Sequence, residues 1–327
     1  MEHRLVIGLN IALTALRDGE PHVLCVKRPG GWGLPFGRFD PDEHRTFELA
    51  LRDFVERQTA VPLGYVEQLY TFGDKGREAP RASLVSGDEA DRIVSVGYLA
   101  LSPEATEPSL ESAAWLPWYR FFPWEDQRAE GQDLRQVIAG QLYRWAGDHE
   151  DRQERLRSTF FSADDCWEEE RALDRYELMY EARLVAEAHR DRDGVEGPEL
   201  FGEAMISDHR RILATAIGRL RGKLRYRPVI FKLIPETFTL STLQSAVEAL
   251  LGFSVHKQNF RRSVESAGLV EKTSQTAQQT KGRPAALYRA GPLADVATAT
   301  GLTLPRLKIP ARQVVSSPEP SKGSSTK

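Results

Sequence analysis

The chain has 327 residues, more than one ordinary domain holds and enough for two or three. Its apolar content of 41% supports real cores, no run of eighteen apolar residues reads as a membrane span, and two distant cysteines, Cys25 and Cys166, give neither a disulfide framework nor a metal set. The net charge of −3 hides an asymmetry: acidic residues lead by roughly ten over 125–200 and basic ones by roughly eight over 221–289, so the basic part is a candidate for nucleic acid. The N-terminus reads as neither a secretory signal nor a transit sequence, and the expected compartment is reducing and cytoplasmic.

Residues 5–16 (LVIGLNIALTAL) and 22–28 (HVLCVKR), split by Asp18-Gly19-Glu20-Pro21, predict a hairpin, with Cys25 an inert buried thiol. Gly30, Gly31 and Gly33 follow a strand without opening a helix, so they predict either a loop that approaches a ligand or a plain turn. Trp32-Gly33-Leu34-Pro35-Phe36-Gly37 then leads toward an amphipathic helix, and 65–72 and 93–101 supply two further strands. Residues 131–146, with Leu134, Val137, Ile138, Leu142 and Trp145 on one stripe, and 165–189 predict helices. Such amphipathic helices are more often packing elements than active sites, and 191–198 reads as a loop. His209 at a helix start fits a structural role better than a catalytic one; the seven histidines lack metal-ligand spacing, and no nucleophile stands beside a base.

Residues 238–244 open a helix with Ser241 and Gln244 at capping-box spacing, and Gly252 is a C-cap candidate. A second helix starts at His256, with Phe260, Val264 and Ala267 toward the core and Lys257, Gln258, Arg261 and Arg262 outside. Gly268 stops it. Strands at 269–272 and 285–289 flank a loop containing Lys281-Gly282-Arg283-Pro284. Two helices and a basic-tipped hairpin are the winged-helix order, in which the second helix enters the major groove. Beyond about Pro310, Pro, Ser and Lys predict disorder.

The stretch from Gly37 to Glu43, followed by Arg52-Asp53-Phe54-Val55-Glu56-Arg57-Gln58-Thr59, resembles the Nudix box, with departures. The second interval holds eight residues instead of seven, Arg-Glu is Arg52-Asp53, the final Glu-Glu is Glu56-Arg57, and the last Gly is Thr59. In that family the helix holds divalent cations against a pyrophosphate, and Mg²⁺ needs carboxylates there. A guanidinium at position 57 puts a cation where a cation should bind. The resemblance therefore implies a surviving pyrophosphate pocket without metal or catalytic residues, lined or flanked by Arg28, Trp32, Phe36, Gly37, Arg52, Glu56 and Arg57. An active pyrophosphatase on ADP-ribose or NAD stays open if Asp40, Glu43, Glu48, Asp53 and Glu56 gather metal instead.

Further blocks carry a more specific resemblance: Glu67-Gln68-Leu69-Tyr70-Thr71-Phe72-Gly73-Asp74, 94–101, Asp208-His209-Arg210-Arg211-Ile212-Leu213, 220–224, 235–240, Asn259-Phe260-Arg261-Arg262, and Gly282-Arg283-Pro284-Ala285 with Leu287-Tyr288-Arg289. Together they resemble the Nudix-related transcriptional regulators of NAD metabolism, the NrtR/NadQ type; about eighty extra residues between Trp115 and Asp208 resemble the longer, NadQ-type form. The resemblance implies an α+β chain: a Nudix-like α/β/α sandwich (1–124), a helical insertion (125–205), a winged helix-turn-helix domain (206–295) and a disordered tail (296–327). It implies a repressor of NAD biosynthesis genes, acting as a homodimer on double-stranded operator DNA. The adenine dinucleotide or nucleotide effector would be NAD, ADP-ribose or ATP, and no cofactor is required. Lys257, Gln258, Asn259, Arg261 and Arg262 would reach the DNA groove, and Lys281 and Arg283 the phosphates or minor groove. The insertion would cover the effector pocket or widen the dimer contact.

Overall fold

The computed structural model describes residues 5–74, 92–103, 105–128, 134–160, 166–277, 285–292, 294 and 307–308. Two compact units emerge, one of residues 1–130 with 169–305 and a smaller one of 131–168 with 306–327.

In the larger unit, β1 (Leu5–Arg17) is the central strand and explains the long apolar run at the start of the sequence. It pairs antiparallel with β2 (Glu20–Arg28) and β4 (Phe36–Arg38), and parallel with β6 (Arg92–Ser102). β3 (Gly31–Gly33) and β7 (Ala113–Pro117) add to β2, and β5 (Tyr65–Phe72) adds to β6, giving seven strands among the described residues. A strand paired on both edges and covered on both faces reads as nearly continuous apolar sequence rather than as alternation. The β1–β2 connection is a two-residue turn in which Asp18 and Gly19 both have positive φ, 52° and 79°, the backbone that matches strand twist in tight hairpins.

Helix α1 (Phe47–Thr59) begins where the Thr46 side chain accepts from Leu49 N at 3.2 Å. Its Ala50, Leu51, Phe54 and Val55 pack with Leu9, Ile11, Leu13 and Val96 to form the main core. The opposite face of the sheet is covered by a helix expected to open the winged-helix domain. That helix, His209–Tyr226, packs against β1, β5 and β6, so it also serves as the outer layer of the α/β/α sandwich.

The segment expected as a single insertion is divided between the two units. The smaller unit holds α2 (Leu134–Ala146) and α3 (Glu150–Phe160), the second of which the sequence reading missed. On α2, Ile138 and Leu142 are buried as expected, whereas Val137 keeps 38% of its surface in solvent. The helix expected over 165–189 is broken: β8 (Cys166–Trp167) comes first, and α4 (Ala172–Glu181) and α5 (Ala186–Asp193) are separated by Arg183 at φ 60° and an extended Val185. Neither Gly nor Pro marks that break. The loop expected over 191–198 starts three residues late, because α5 runs to Asp193 and is capped by Gly194 at φ 69°. Within the tail expected to be disordered, β11 (Leu307–Lys308) pairs with β8; 296–306 and 309–327 lie outside the described residues.

With α6 naming His209–Tyr226, the chain continues into α7 (Leu240–Leu251), α8 (Lys257–Ser266), β9 (Val270–Ala277) and β10 (Ala285–Ala290). Phe238 exchanges two backbone hydrogen bonds with Tyr288, at 2.9 and 2.8 Å, and so adds a third short rung to the β9–β10 pair. Gly252 ends α7 at φ 80°, as expected. The N-cap, however, is Thr239, whose side chain accepts from Thr242 N at 3.0 Å, because Leu240 is already helical. Gln244 is used elsewhere: with Glu248 it holds the turn into α8, donating to Val255 O at 3.1 Å while Glu248 accepts from Val255 N at 2.8 Å.

Candidate functional site

Helix α1 presents the residues of the degenerate box on two different sides. Phe54 and Val55 face the core, Glu56 and Arg57 face solvent, and Arg52 reaches sideways. Arg52 is already engaged: it donates to Glu48 Oε1 at 3.0 and 2.8 Å, to Leu63 O at 2.6 Å and to Gly64 O at 3.3 Å. It clasps the loop after α1 to the helix. Arg57 donates to Asp53 Oδ2 at 2.6 Å, and His44 Nε2 lies 3.1 Å from the same oxygen. The Arg57 side chain is otherwise 65% exposed, so the remaining faces of its guanidinium are open to an anion. Of the five carboxylates considered for metal, three are engaged: Glu48 by Arg52, Asp53 by His44 and Arg57, and Asp40, whose Oδ1 accepts from Asp42 N at 3.0 Å; Glu43 and Glu56 are exposed.

The strand side of the site is built on a close approach of the chain to itself. Phe36 is 4% exposed and packs with Val6, Ile93 and Ile206, so it forms a floor rather than a contact surface. Its backbone is tied to α1 by Gln58, which donates to Phe36 O at 2.7 Å. Gly37 lies beneath α1, where a β-carbon would come within 2.9 Å of the Phe54 ring. The Arg28 guanidinium sits 5.7 Å from the Phe36 ring centre, and its Nε is buried without a partner among the described residues. Lys27 Nζ lies 4.9 Å over the Trp32 ring. The sequence-predicted residues thus fall into four places: Arg28 with Phe36 and, beneath α1, Gly37; Trp32 under Lys27; Glu56 with Arg57 on the outer face of α1; and Arg52 on the 63–64 loop.

Sequence reasoning gave no role in the site to the segment that backs this loop. Ile206 N donates to Trp32 O at 2.9 Å, Trp32 bridges to Met205, and Leu34 N donates to His209 Nδ1 at 3.0 Å. Gly33 has no room for a β-carbon, which would lie 2.6 Å from His209 Nδ1 and 2.7 Å from Ile206 Cγ1. The glycine is required by the chain's own packing. Two side chains of α5 hold the segment in place: Glu187 accepts from Met205 N at 3.0 Å, and Arg190 donates to Met205 O and Ser207 O at 2.7 and 2.6 Å. Burial, reinforced by Arg190, pushes the His209 pKa down to about 3. The ring is therefore neutral, and its proton sits on Nε2 because Nδ1 accepts.

At the far end of α6, Arg221 and Arg175 both bond the fully buried Glu125 carboxylate, Arg175 Nε at 2.6 Å. Burial disfavours the Glu125 charge, but the two guanidinium groups outweigh it and hold the carboxyl below its usual range. Arg221 Nε also donates to Leu250 O at 2.9 Å, and Gln127 N donates to Gly252 O at 2.6 Å. The end of α7 is thereby locked to the sheet domain.

On α8 the prediction of an apolar inner and a polar outer face is met by Phe260 and Val264 buried and Lys257, Gln258, Asn259 and Arg262 exposed. Arg261 is half-buried, its Nε enclosed, so it is less available than its neighbours. Lys281 and Arg283 lie outside the described residues. No described helix is long and apolar enough to cross a membrane.

Comparison with known proteins places these observations. The family model for the NrtR DNA-binding winged helix domain matches residues 230–290, which contain α7, α8, β9 and β10. The ADPR responsive transcriptional repressor NtrR of Acinetobacter baylyi is 43% identical over 82 residues, a stretch of 25% of this chain that spans about a third of that relative, 32%. The crystal structure of Shewanella oneidensis NrtR complexed with a 27mer DNA is similar at a TM-score of 0.54 and 22% identity, covering 91% of this chain and 98% of that one. A MutT/nudix family protein from Enterococcus faecalis is similar at a TM-score of 0.50 and 16% identity over 89% of both chains. Residues 230–290 match the NrtR DNA-binding winged helix domain, and the whole chain shares its overall fold with the Shewanella oneidensis structure.

Proposed function

We propose that this chain is a transcriptional repressor that binds operator DNA through its winged helix and responds to ADP-ribose, or a related adenine nucleotide, held by the Nudix-like domain without hydrolysis. The observation that carries the reading is α8. An NrtR-type winged helix turns Lys257, Gln258, Asn259 and Arg262 outward on its second helix, where side chains read base edges and phosphates. ADP-ribose is favoured over NAD and ATP because the Acinetobacter baylyi relative is described as ADPR responsive. Genes of NAD synthesis as targets, and a homodimer on a palindromic operator, follow from the family resemblance.

The absence of hydrolysis rests on the charge of α1. A divalent cation needs carboxylate oxygens, and Asp53 is held by Arg57 and His44 while Glu48 is held by Arg52. This donor set fits Mg²⁺ poorly. It suits a phosphate instead, since the exposed side of Arg57 can pair with phosphate oxygens directly.

Calorimetry of the full chain with ADP-ribose and Mg²⁺, followed by product analysis of the same sample, tests both halves of the reading. Saturable binding with the ligand recovered intact is expected, and Arg57→Ala should weaken it by about ten- to a hundredfold, the value of a charge-assisted hydrogen bond. Turnover of about one per second, an ordinary enzymatic rate, abolished by Glu56→Gln, would establish the pyrophosphatase instead.

A further inference from the structure

We propose that the hydrogen bond from Leu34 N to His209 Nδ1 is the joint through which occupancy of the Nudix-like site reaches the DNA-binding helix. The proposal rests on the reading above, that an adenine nucleotide occupies that site.

The loop with Trp32 and Phe36 and the first turn of α6 are one piece. Leu34 N donates to His209 at 3.0 Å, the Phe36 ring stands edge-on to the imidazole with centroids 4.9 Å apart, and Gly33 is closed against His209 and Ile206. A shift of this loop cannot be absorbed locally, because no space separates it from α6. The imidazole Nε2–H is buried and has no partner among the described residues, so the Leu34 bond is the one polar interaction that orients the ring there. A neutral ring held by one bond is a contact that a change of loop conformation can make or break.

Helix α6 runs 18 residues, about 27 Å, and is buried along most of its length between the sheet and α4. Close-packed interiors transmit displacement rather than absorb it. Twelve residues beyond His209, Arg221 donates to Leu250 O at the end of α7. From there Glu248 and Gln244 fix Val255 in the turn, and α8 follows with Phe260 buried against the same domain. The path from Leu34 to the groove-facing side chains is a chain of packed or hydrogen-bonded contacts, the physical warrant that coupling between sites needs.

The test compares operator affinity with and without ADP-ribose for the full chain and two variants. His209→Asn keeps an acceptor close to the position of Nδ1, whereas His209→Phe keeps the ring and removes the acceptor. We expect the wild type and His209→Asn to show the same change on adding ADP-ribose, within the roughly 5–150-fold range typical of coupled sites. His209→Phe should keep its effector-free operator affinity and respond less than twofold. A His209→Phe variant with the wild-type response overturns the joint and leaves the repressor reading standing; a wild type without any response overturns both. Should His209→Phe fail to fold, hydrogen exchange on the wild type decides. ADP-ribose should then change protection at Leu34, at the first turn of α6 and at Leu250–Gly252 together, and a change confined to the loop overturns the proposal.

Discussion

His209 shows how one buried side chain ties pH to stability. In the folded chain its pKa is pushed down to about 3 by burial, against an ordinary value near 6.5, so below pH 6.5 the unfolded chain takes up a proton that the folded one refuses. The contribution of the neutral ring is fully present above pH 6.5 and is lost as the pH falls toward 3. The slope approaches about 1.4 kcal/mol per pH unit. Chemical denaturation at pH 7, 6 and 5 should show that loss in the wild type and a flatter profile in His209→Asn; identical profiles would mean that the ring is solvated. Glu125 acts in the same direction at lower pH, since its folded pKa lies below the usual carboxylate range, whereas burial raises the Glu169 carboxyl and opposes it, so the comparison with His209→Asn is what isolates His209. Arginine positions also separate by role at this scale. Arg52 and Arg57 look equivalent as letters in the box, yet one is spent on carbonyl oxygens of its own chain and the other keeps most of its guanidinium in water.

At the scale of elements, α8 carries the reading of function, and its outer face makes a separate prediction. Removing a phosphate-contacting cation weakens all DNA sequences alike and lowers the salt slope by about one, whereas removing a base-reading side chain costs about 1–3 kcal/mol at one operator position. Arg262→Ala, exposed and off the core, should do one or the other without loss of thermal stability. Unchanged affinity and salt slope in a fluorescence-anisotropy titration would assign this face to another partner. Elements with local signals were legible in the sequence: the Asp18-Gly19 turn, the amphipathic face of α1, Gly252 after α7, and Phe260 and Val264 inside α8. The misreadings lie where tertiary contacts outvote local pattern. Ser241 had capping-box spacing, but the chain enters the helix two residues earlier and Thr239 caps it. The break between α4 and α5 has no glycine or proline to announce it, and Arg183 adopts positive φ there.

Across the larger unit, the least legible feature is that α6 belongs to two structures at once. The sequence places it at the head of the winged-helix part; it also covers the seven-stranded sheet, receives Leu34 at one end and holds Leu250 at the other. Glu125, Arg175 and Arg221 come together from positions up to 96 residues apart, a distance over which no sequence pattern speaks. Phe36, expected to line or flank the pocket, is buried against Val6, Ile93 and Ile206. On the proposed reading, one chain joins an adenine-nucleotide sensor to a DNA-binding winged helix. The deciding measurement titrates the full chain into its operator duplex, at fixed salt, with and without saturating ADP-ribose. Specific binding is expected, its affinity changed by at least about fivefold by an ADP-ribose that stays unhydrolysed. Operator binding indifferent to ADP-ribose, NAD and ATP alike would contradict it.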